Sequence, residues 1–444
     1  MTVFRLIPGV QSYEWGIKGG EKNSICADLA EATPELEFKR SATTPYAELW
    51  MGTHPTLPSR LADDKSKPLL NEVLCQNPGL LGDEVVKKYG TSKAGSLPFL
   101  FKVLSISQAL SIQAHPNKRL AERLHAEKPD MYKDDNHKPE MAIAIAAFSG
   151  FCGFRPVREI LHFIEAVPEL HSMLHADDAL RKQLQTAADA QENQWKGNSD
   201  ENASKTVYEA LKLAFSKLAN TDKTVYQPAV KKLVARYQEA RENHQPLEVS
   251  EDIADLVIRL NHQHPQDIGI FCTFFLNVVH LQPGEALFLC ADEPHAYLSG
   301  HILECMAASD NVVRAGLTPK ARDVDVLVDM LTYRSTRADD QLLKAVQWDG
   351  DNASPNPTLL YDPPIEEFSV LVTTLTDKAG KSSQRALRGP SVVLVVEGKG
   401  TLQADGQSRE LYAGLVLFVG ANTPIQVSSD QKLVVSRAFL EINA

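Results

Sequence analysis

The stretch Ser111-Ile112-Gln113-Ala114-His115-Pro116-Asn117-Lys118, followed by Asn136-His137-Lys138-Pro139-Glu140, decides how this chain is read. Side chains on a strand alternate faces, so Gln113 and His115 point the same way. Glu140 follows His115 by 25 positions (140 − 115). A histidine, a carboxylate and an amide oxygen make a partial coordination shell for a borderline-soft dication. A fourth ligand is on offer at His295, in Pro294-His295-Ala296-Tyr297. The first three precede a helical stretch and His295 follows it. One β-barrel, interrupted by an inserted helical region, therefore closes around a mononuclear, zinc-type site.

The texture of the chain supports that layout. Residues 1–150 are Gly-, Pro- and Thr-rich with short apolar runs such as 97–104, the pattern of strands and loops, with short helices expected over 70–81 and 118–127. Between 157 and 262 the apolar period becomes helical. Val207, Leu211, Ala214, Phe215 and Leu218 recur behind Thr206-x-x-Glu209, which has the form of a capping box. Pro228 is expected to open a second helix, with Val230, Leu233, Val234 and Tyr237 on its apolar face. Ser250 caps a third that carries Ile253, Leu256, Val257 and Leu260. Residues 191–202 form a polar break. Strands are expected again over 269–281 and, after Pro283-Gly284-Glu285, over 286–289. Beyond a Pro/Asp/Asn-rich stretch at 348–364, short strands at 391–396, 401–404 and 414–419 alternate with Gly-rich turns. They read as a second small barrel or jelly roll whose alternation carries no histidine and only isolated acids, a structural part.

With 444 residues, 43% hydrophobic and 23% charged, the chain can bury full-sized cores in two or three domains. A net charge of −11 argues against nucleic acid or an anionic membrane as partner. No apolar run reaches the roughly 20 residues needed to span a bilayer, and no signal peptide is evident at Met1-Thr2-Val3-Phe4-Arg5. The six cysteines (Cys26, Cys75, Cys152, Cys272, Cys290 and Cys305) form no Cys-x-x-Cys pair and read as reduced thiols of a cytoplasmic protein. A second constellation runs from Glu304 to Lys320. Within it Arg314 and Lys320 can hold an anion, one as a bidentate fork and one as a point charge. Ser111 and Lys138 flank the metal motif and fit the same pocket.

These motifs resemble the signature of the type I phosphomannose isomerases. The resemblance rests on 111–118 and 136–140 together with Tyr13-Glu14-Trp15-Gly16, Glu48-Leu49-Trp50-Met51-Gly52-Thr53-His54-Pro55, 294–297, and Asp310-Asn311-Val312-Val313-Arg314-Ala315-Gly316 with Thr318-Pro319-Lys320. It spans residues 4 to about 330 in family order; the C-terminal barrel agrees in texture only. It implies a mainly β fold: a cupin-type catalytic barrel (1–155 with 263–335), an inserted helical domain (156–262) and a metal-free C-terminal jelly roll (336–444).

The resemblance further implies one zinc ion held by Gln113, His115, Glu140 and His295. Arg314 would be the catalytic arginine, and Ser111 and Lys320 would hold the substrate phosphate. The implied reaction interconverts D-mannose 6-phosphate and D-fructose 6-phosphate through a cis-enediol, feeding GDP-mannose synthesis and mannose catabolism, in a cytoplasmic monomer. The base is open among Glu304, Lys138, His137 and Asp310, with Glu304 or Lys138 preferred and Asp310 expected to orient Arg314. Tyr297 and Trp15 are expected to line the pocket. A cupin oxygenase is disfavoured by the neutral Gln ligand, and a non-catalytic sugar-phosphate binder by the intact Arg314 and ligand set.

Overall fold

The computed structural model describes residues 1–90, 95–198, 202–350, 358–376 and 380–442; parts of the polar break at 191–202 and of the 348–364 stretch lie outside them. Two sheets of eleven strands each carry the described fold. The first is organised on the 13-residue strand His295–Ala307. Its start pairs with Phe148–Phe154 and, at His295, with Gln113; its end lies between Phe99–Ile106 and Glu140–Ala144. The change of partners falls at Gly300, whose φ of +114° and closeness to the Ala147 carbonyl (2.3 Å from an added Cβ) leave room for no side chain.

Strand alternation sorts the faces of this sheet. Ile112, Ala114, Ala296 and Leu298 face outward into a core shared with the helices. Gln113, His115, His295 and Tyr297, at the intervening positions, are left to face the barrel interior. Further along, Leu303, Cys305, Phe101, Val103, Met141 and Ile143 pack against the second sheet. Lys102, Glu140 and Glu304 alternate with them and share the inner face.

The helical insertion comprises Val157–Ala166, Pro168–Met173, Asp178–Trp195, Ala203–Ala219, Lys223–Glu242 and Glu251–Gln263. Ser250 caps the last of these as expected, accepting from Ile253 N–H. Two starts differ from expectation. The third long helix begins at Ala203, so Thr206 is interior and its hydroxyl bonds back to the Asn202 carbonyl at 3.0 Å. The next begins at Lys223 because Asp222 caps it, leaving Pro228 inside the helix.

The segment expected as a strand over 269–281 is strand only at Leu276–Leu281; Ile268–Phe274 is a 3-10 helix with all seven residues buried. A short apolar run has no period of its own to decide this. The Asp267 carboxylate, accepting from Gly269 N–H at 2.7 Å, starts the turn. In the C-terminal jelly roll, the two strands expected around Gly398 are one, Ser391–Ala404, carrying a bulge between Val395 and Glu397; the chain reverses instead at Asp405-Gly406. Unanticipated by local pattern, Val3–Ile7 pairs with Val416–Val419, so the first strand of the chain joins the second sheet.

Phe154 joins the barrel to the insertion. It is fully buried, edge-on to Phe215 and stacked on Tyr333, both at 5.3 Å. Phe154→Ala is expected to lower unfolding stability by about 3–5 kcal/mol. Equilibrium denaturation would measure it, and a loss below about 1 kcal/mol would mean that this cluster does not tie the two parts together.

Candidate metal centre

His115, just past the strand Ile112–Ala114, and Glu140 and His295, at the starts of two others, converge, with one ligand atom from each lying within 4.8 Å of the others. His115 Nε2 is 3.3 Å from one Glu140 oxygen and His295 Nε2 is 3.5 Å from the other. Each imidazole is fixed from behind through Nδ1: His115 at 2.7 Å from the Asn311 carbonyl, His295 at 3.0 Å from the Glu293 carbonyl. A carbonyl can only accept, so the ring proton sits on Nδ1 and the Nε2 lone pair faces the carboxylate. Both Nε2 atoms are buried without a hydrogen-bond partner. Lone pairs and a carboxylate aimed at one another are a set of donors for a dication, and carbonyl-anchored imidazoles are how such ligands are usually held. Gln113 lies directly opposite His295 in the ladder and opposite Arg314 on its other side.

Electrostatics agree with that fit. Burial pushes the His115 imidazolium down to about 4, so the ring is neutral at pH 7. Burial works against ionisation of Glu140, but the Lys138 ammonium, with Nζ 3.4 Å away, holds its carboxyl well below the usual carboxylate range. Beside it runs a buried relay. The Tyr297 hydroxyl donates to Glu304 Oε1 at 2.7 Å and lies 3.4 Å from Glu140 Oε2. Lys102 Nζ donates to Glu304 Oε2 at 2.9 Å and stands 3.9 Å from Glu48, which also accepts from the Trp50 indole N–H. Three carboxylates (Glu48, Glu140, Glu304) against two ammoniums (Lys102, Lys138) leave one negative charge in excess, which a dication would offset. Burial raises the Glu304 carboxyl, while Lys102 pulls against it.

The remaining candidates divide. Arg314 is half-buried, its guanidinium has no hydrogen bond or ion pair with any described residue, and burial alone lowers its pKa from the usual value. Trp15 stacks on Tyr13 at 5.8 Å and packs against the cluster that contains Tyr297. Ile112 pairs with Gly316, which puts Ser111 at the end of the ladder from which the chain runs on to Lys320. Lys320 is exposed and lines a cleft of about 730 Å³ with Tyr226, His264 and Arg322.

Two expectations change. Asp310 does not meet Arg314; its carboxylate faces His54 Nε2 at 3.5 Å. His137 turns away from Glu140, its Nε2 lying 2.5 Å from Glu367 of the C-terminal part. The sequence reading passed over Lys102 and Glu48. Their signals were a lone charge inside the apolar run 97–104 and an acid at the head of the Glu48–Met51 strand.

Family models match the chain in three places: phosphomannose isomerase type I catalytic domain over residues 3–157, its helical insertion domain over 180–276 and its C-terminal part over 358–407. The chain belongs to the type I phosphomannose isomerases. It is 46% identical to the mannose-6-phosphate isomerase of Cryptococcus neoformans, with 99% of each chain covered, and 40% identical to that of Saccharomyces cerevisiae, with 99% of each covered. Among solved phosphomannose isomerases, a zinc-bound holo form superposes with a TM-score of 0.76 at 29% identity over the full length of both chains. The Salmonella typhimurium enzyme bound to fructose 6-phosphate and zinc does so at 0.75, with the same identity and coverage.

The ligand geometry predicts about one zinc per chain after purification and gel filtration. His115→Ala is expected to lose it on dialysis. Elemental analysis of both proteins checks this, and full retention by the variant would exclude His115 as a ligand.

Proposed function

We propose that this chain is a zinc-dependent aldose–ketose isomerase interconverting D-mannose 6-phosphate and D-fructose 6-phosphate. The observation that carries the reading is the three-residue donor set at His115, Glu140 and His295, set beside an unpaired Arg314 in a chain that matches the family end to end. In that reading Gln113, His115, Glu140 and His295 hold the ion. When bound, zinc supplies a Lewis acid or a template for the substrate hydroxyls.

The reaction takes the C2 proton from the open-chain aldose and returns it at C1 through a cis-enediol, while one proton passes between O1 and O2. Glu304 is proposed as the group that carries the carbon-bound proton. Its two oxygens are held by Lys102 and Tyr297, and its raised carboxyl brings its basicity nearer to neutral pH than that of an exposed glutamate. Lys138, beside Glu140, is placed to serve the oxygens. Arg314, a permanent cation, stabilises charge on the enediolate and cannot serve as base. Ser111 and Lys320 hold the phosphate, remote from C1 and C2, so that binding energy there positions the reacting carbons. Tyr297 and Trp15 line the pocket. Asp310 and His137, facing His54 and Glu367, are left out of the chemistry.

The same proposal divides the chain into a catalytic barrel (1–155 with 263–335), a helical insertion (156–262) and a C-terminal jelly roll (336–444), the first strand being lent to the last part. It takes the protein as a cytoplasmic monomer supplying GDP-mannose synthesis and mannose catabolism. Among the described residues no helix is long and apolar enough to cross a membrane.

An assay of mannose 6-phosphate conversion coupled to fructose 6-phosphate consumption tests the reaction; no turnover by zinc-loaded protein would sink it. The base assignment has its own signature. A base must be ionised, so kcat/KM should rise with pH through a limb above the roughly 4.3 of an ordinary glutamate. The Lys102 ammonium lowers the Glu304 carboxyl, so Lys102→Met should move that limb to higher pH. A limb that stays put would exclude Glu304 as the group titrating.

A further inference from the structure

Neither the mechanism nor the sequence motifs use Asp134, which lies in the polar stretch leading to Glu140. Its side chain accepts an unusual number of hydrogen bonds, all but one from a single distant loop. Oδ1 accepts from the Ser309 hydroxyl at 2.8 Å and from Asn311 Nδ2 at 3.3 Å, and Oδ2 accepts from Asp310 N–H at 2.8 Å. The Asp134 main-chain carbonyl takes Asn311 Nδ2 again at 2.6 Å, and Oδ1 also accepts from Asn136 N–H at 2.9 Å. No ion pair involves this carboxylate among the described residues, so its charge is spent on backbone and side-chain donors of residues 309–311 rather than on a cation.

That loop reaches the metal centre by two routes. The Asn311 carbonyl is the atom that fixes His115 through Nδ1 at 2.7 Å, and Asn311 itself is fully buried. Three residues on, Arg314 pairs in the ladder with Gln113. A shift of residues 309–311 would therefore tilt one ligand ring and displace the cation assigned to the enediolate in the same movement. We propose that Asp134 is a positioning residue: its carboxylate clamps the 309–311 loop, and through the Asn311 carbonyl and the register of Arg314 it sets the geometry of both the metal ligand His115 and the catalytic cation. The inference rests on the metal reading given above.

The carboxylate is required because both oxygens accept. An asparagine keeps the size but turns one of them into a donor facing a donor, either Asp310 N–H or Asn136 N–H. Asp134→Asn should weaken zinc binding by about 10–100-fold, the range for partners that orient a metal ligand from outside. Chelator competition on the refilled protein measures this. The visible spectrum of the cobalt-substituted protein should change as the His115 ring reorients. In turnover, kcat should fall while KM for mannose 6-phosphate holds, because Ser111 and Lys320 are not moved.

The control is Asp64→Asn, which removes a carboxylate charge from an exposed loop elsewhere while its Oδ1 can still accept from the Ser66 N–H and hydroxyl (2.8 and 2.7 Å), and should leave all three readouts alone. Should Asp134→Asn not fold, Ser309→Ala deletes one of the Asp134 bonds together with the hydroxyl's bonds to the Asn136 carbonyl and Asn311 N–H, and should weaken zinc severalfold. Zinc affinity and cobalt spectrum equal to wild type in the variant would overturn the clamp while leaving the metal reading standing. A wild-type protein that takes up no zinc would sink the metal reading, and the clamp with it.

Discussion

Two imidazole nitrogens and a carboxylate, all buried, are held facing one another, and most of the surrounding architecture follows from making that arrangement stable. Buried acceptors that confront each other are costly unless a cation or a donor lies between them. Lys138 supplies one ammonium, and the excess of negative charge in the Glu48–Lys102–Glu304–Tyr297–Glu140 relay supplies the reason for a second cation. Without main-chain carbonyls behind them, the two rings could rotate or swap tautomers and the donor set would dissolve. Those carbonyls come from Glu293 and Asn311, in two different loops, which is why the loops are as firmly tied as the strands.

The strand His295–Ala307 does the positioning. One end carries His295 of the donor set, its middle turns at Gly300, and the other end sets Glu304 opposite Lys102 and next but one to the register of Glu140. A single continuous element therefore fixes the spacing between His295 and the proposed base Glu304. The helical insertion covers the outer face of the same barrel, with Ile112, Ala114, Ala296 and Leu298 buried against it, so the strands carrying Gln113, His115 and His295 are backed by a packed core. Rigidity at the donor set thus comes from helices that contribute none of its ligands.

Much of this was legible in the chain. Gln113, His115, Glu140 and His295 could be singled out as metal-ligating residue types, alternation putting the first two on one face and the family resemblance implying the full set; the structure brings His115, Glu140 and His295 together. The helical period of 203–260 is long enough to be unambiguous. What escaped was what local pattern does not encode. Lys102 reads as an interruption of an apolar strand until Glu304, 202 positions on, is paired with it. Residues 268–274 have no period to tell strand from 3-10 helix, and Gly398 and Gly400, inside the continuous strand Ser391–Ala404, imitate a turn. Val3–Ile7 finds its partner at the far end of the chain, a pairing set by how the two sheets stack. His137 and Asp310 were plausible as acid–base groups by type; only their partners, Glu367 and His54, take them elsewhere.

The account stands or falls on the donor set being the working centre. The direct measurement is isomerase activity against bound zinc, titrated back into chelator-stripped protein. Activity should climb linearly and level off at about one zinc per chain. Full turnover of mannose 6-phosphate by protein shown to be free of zinc and other transition metals would contradict it.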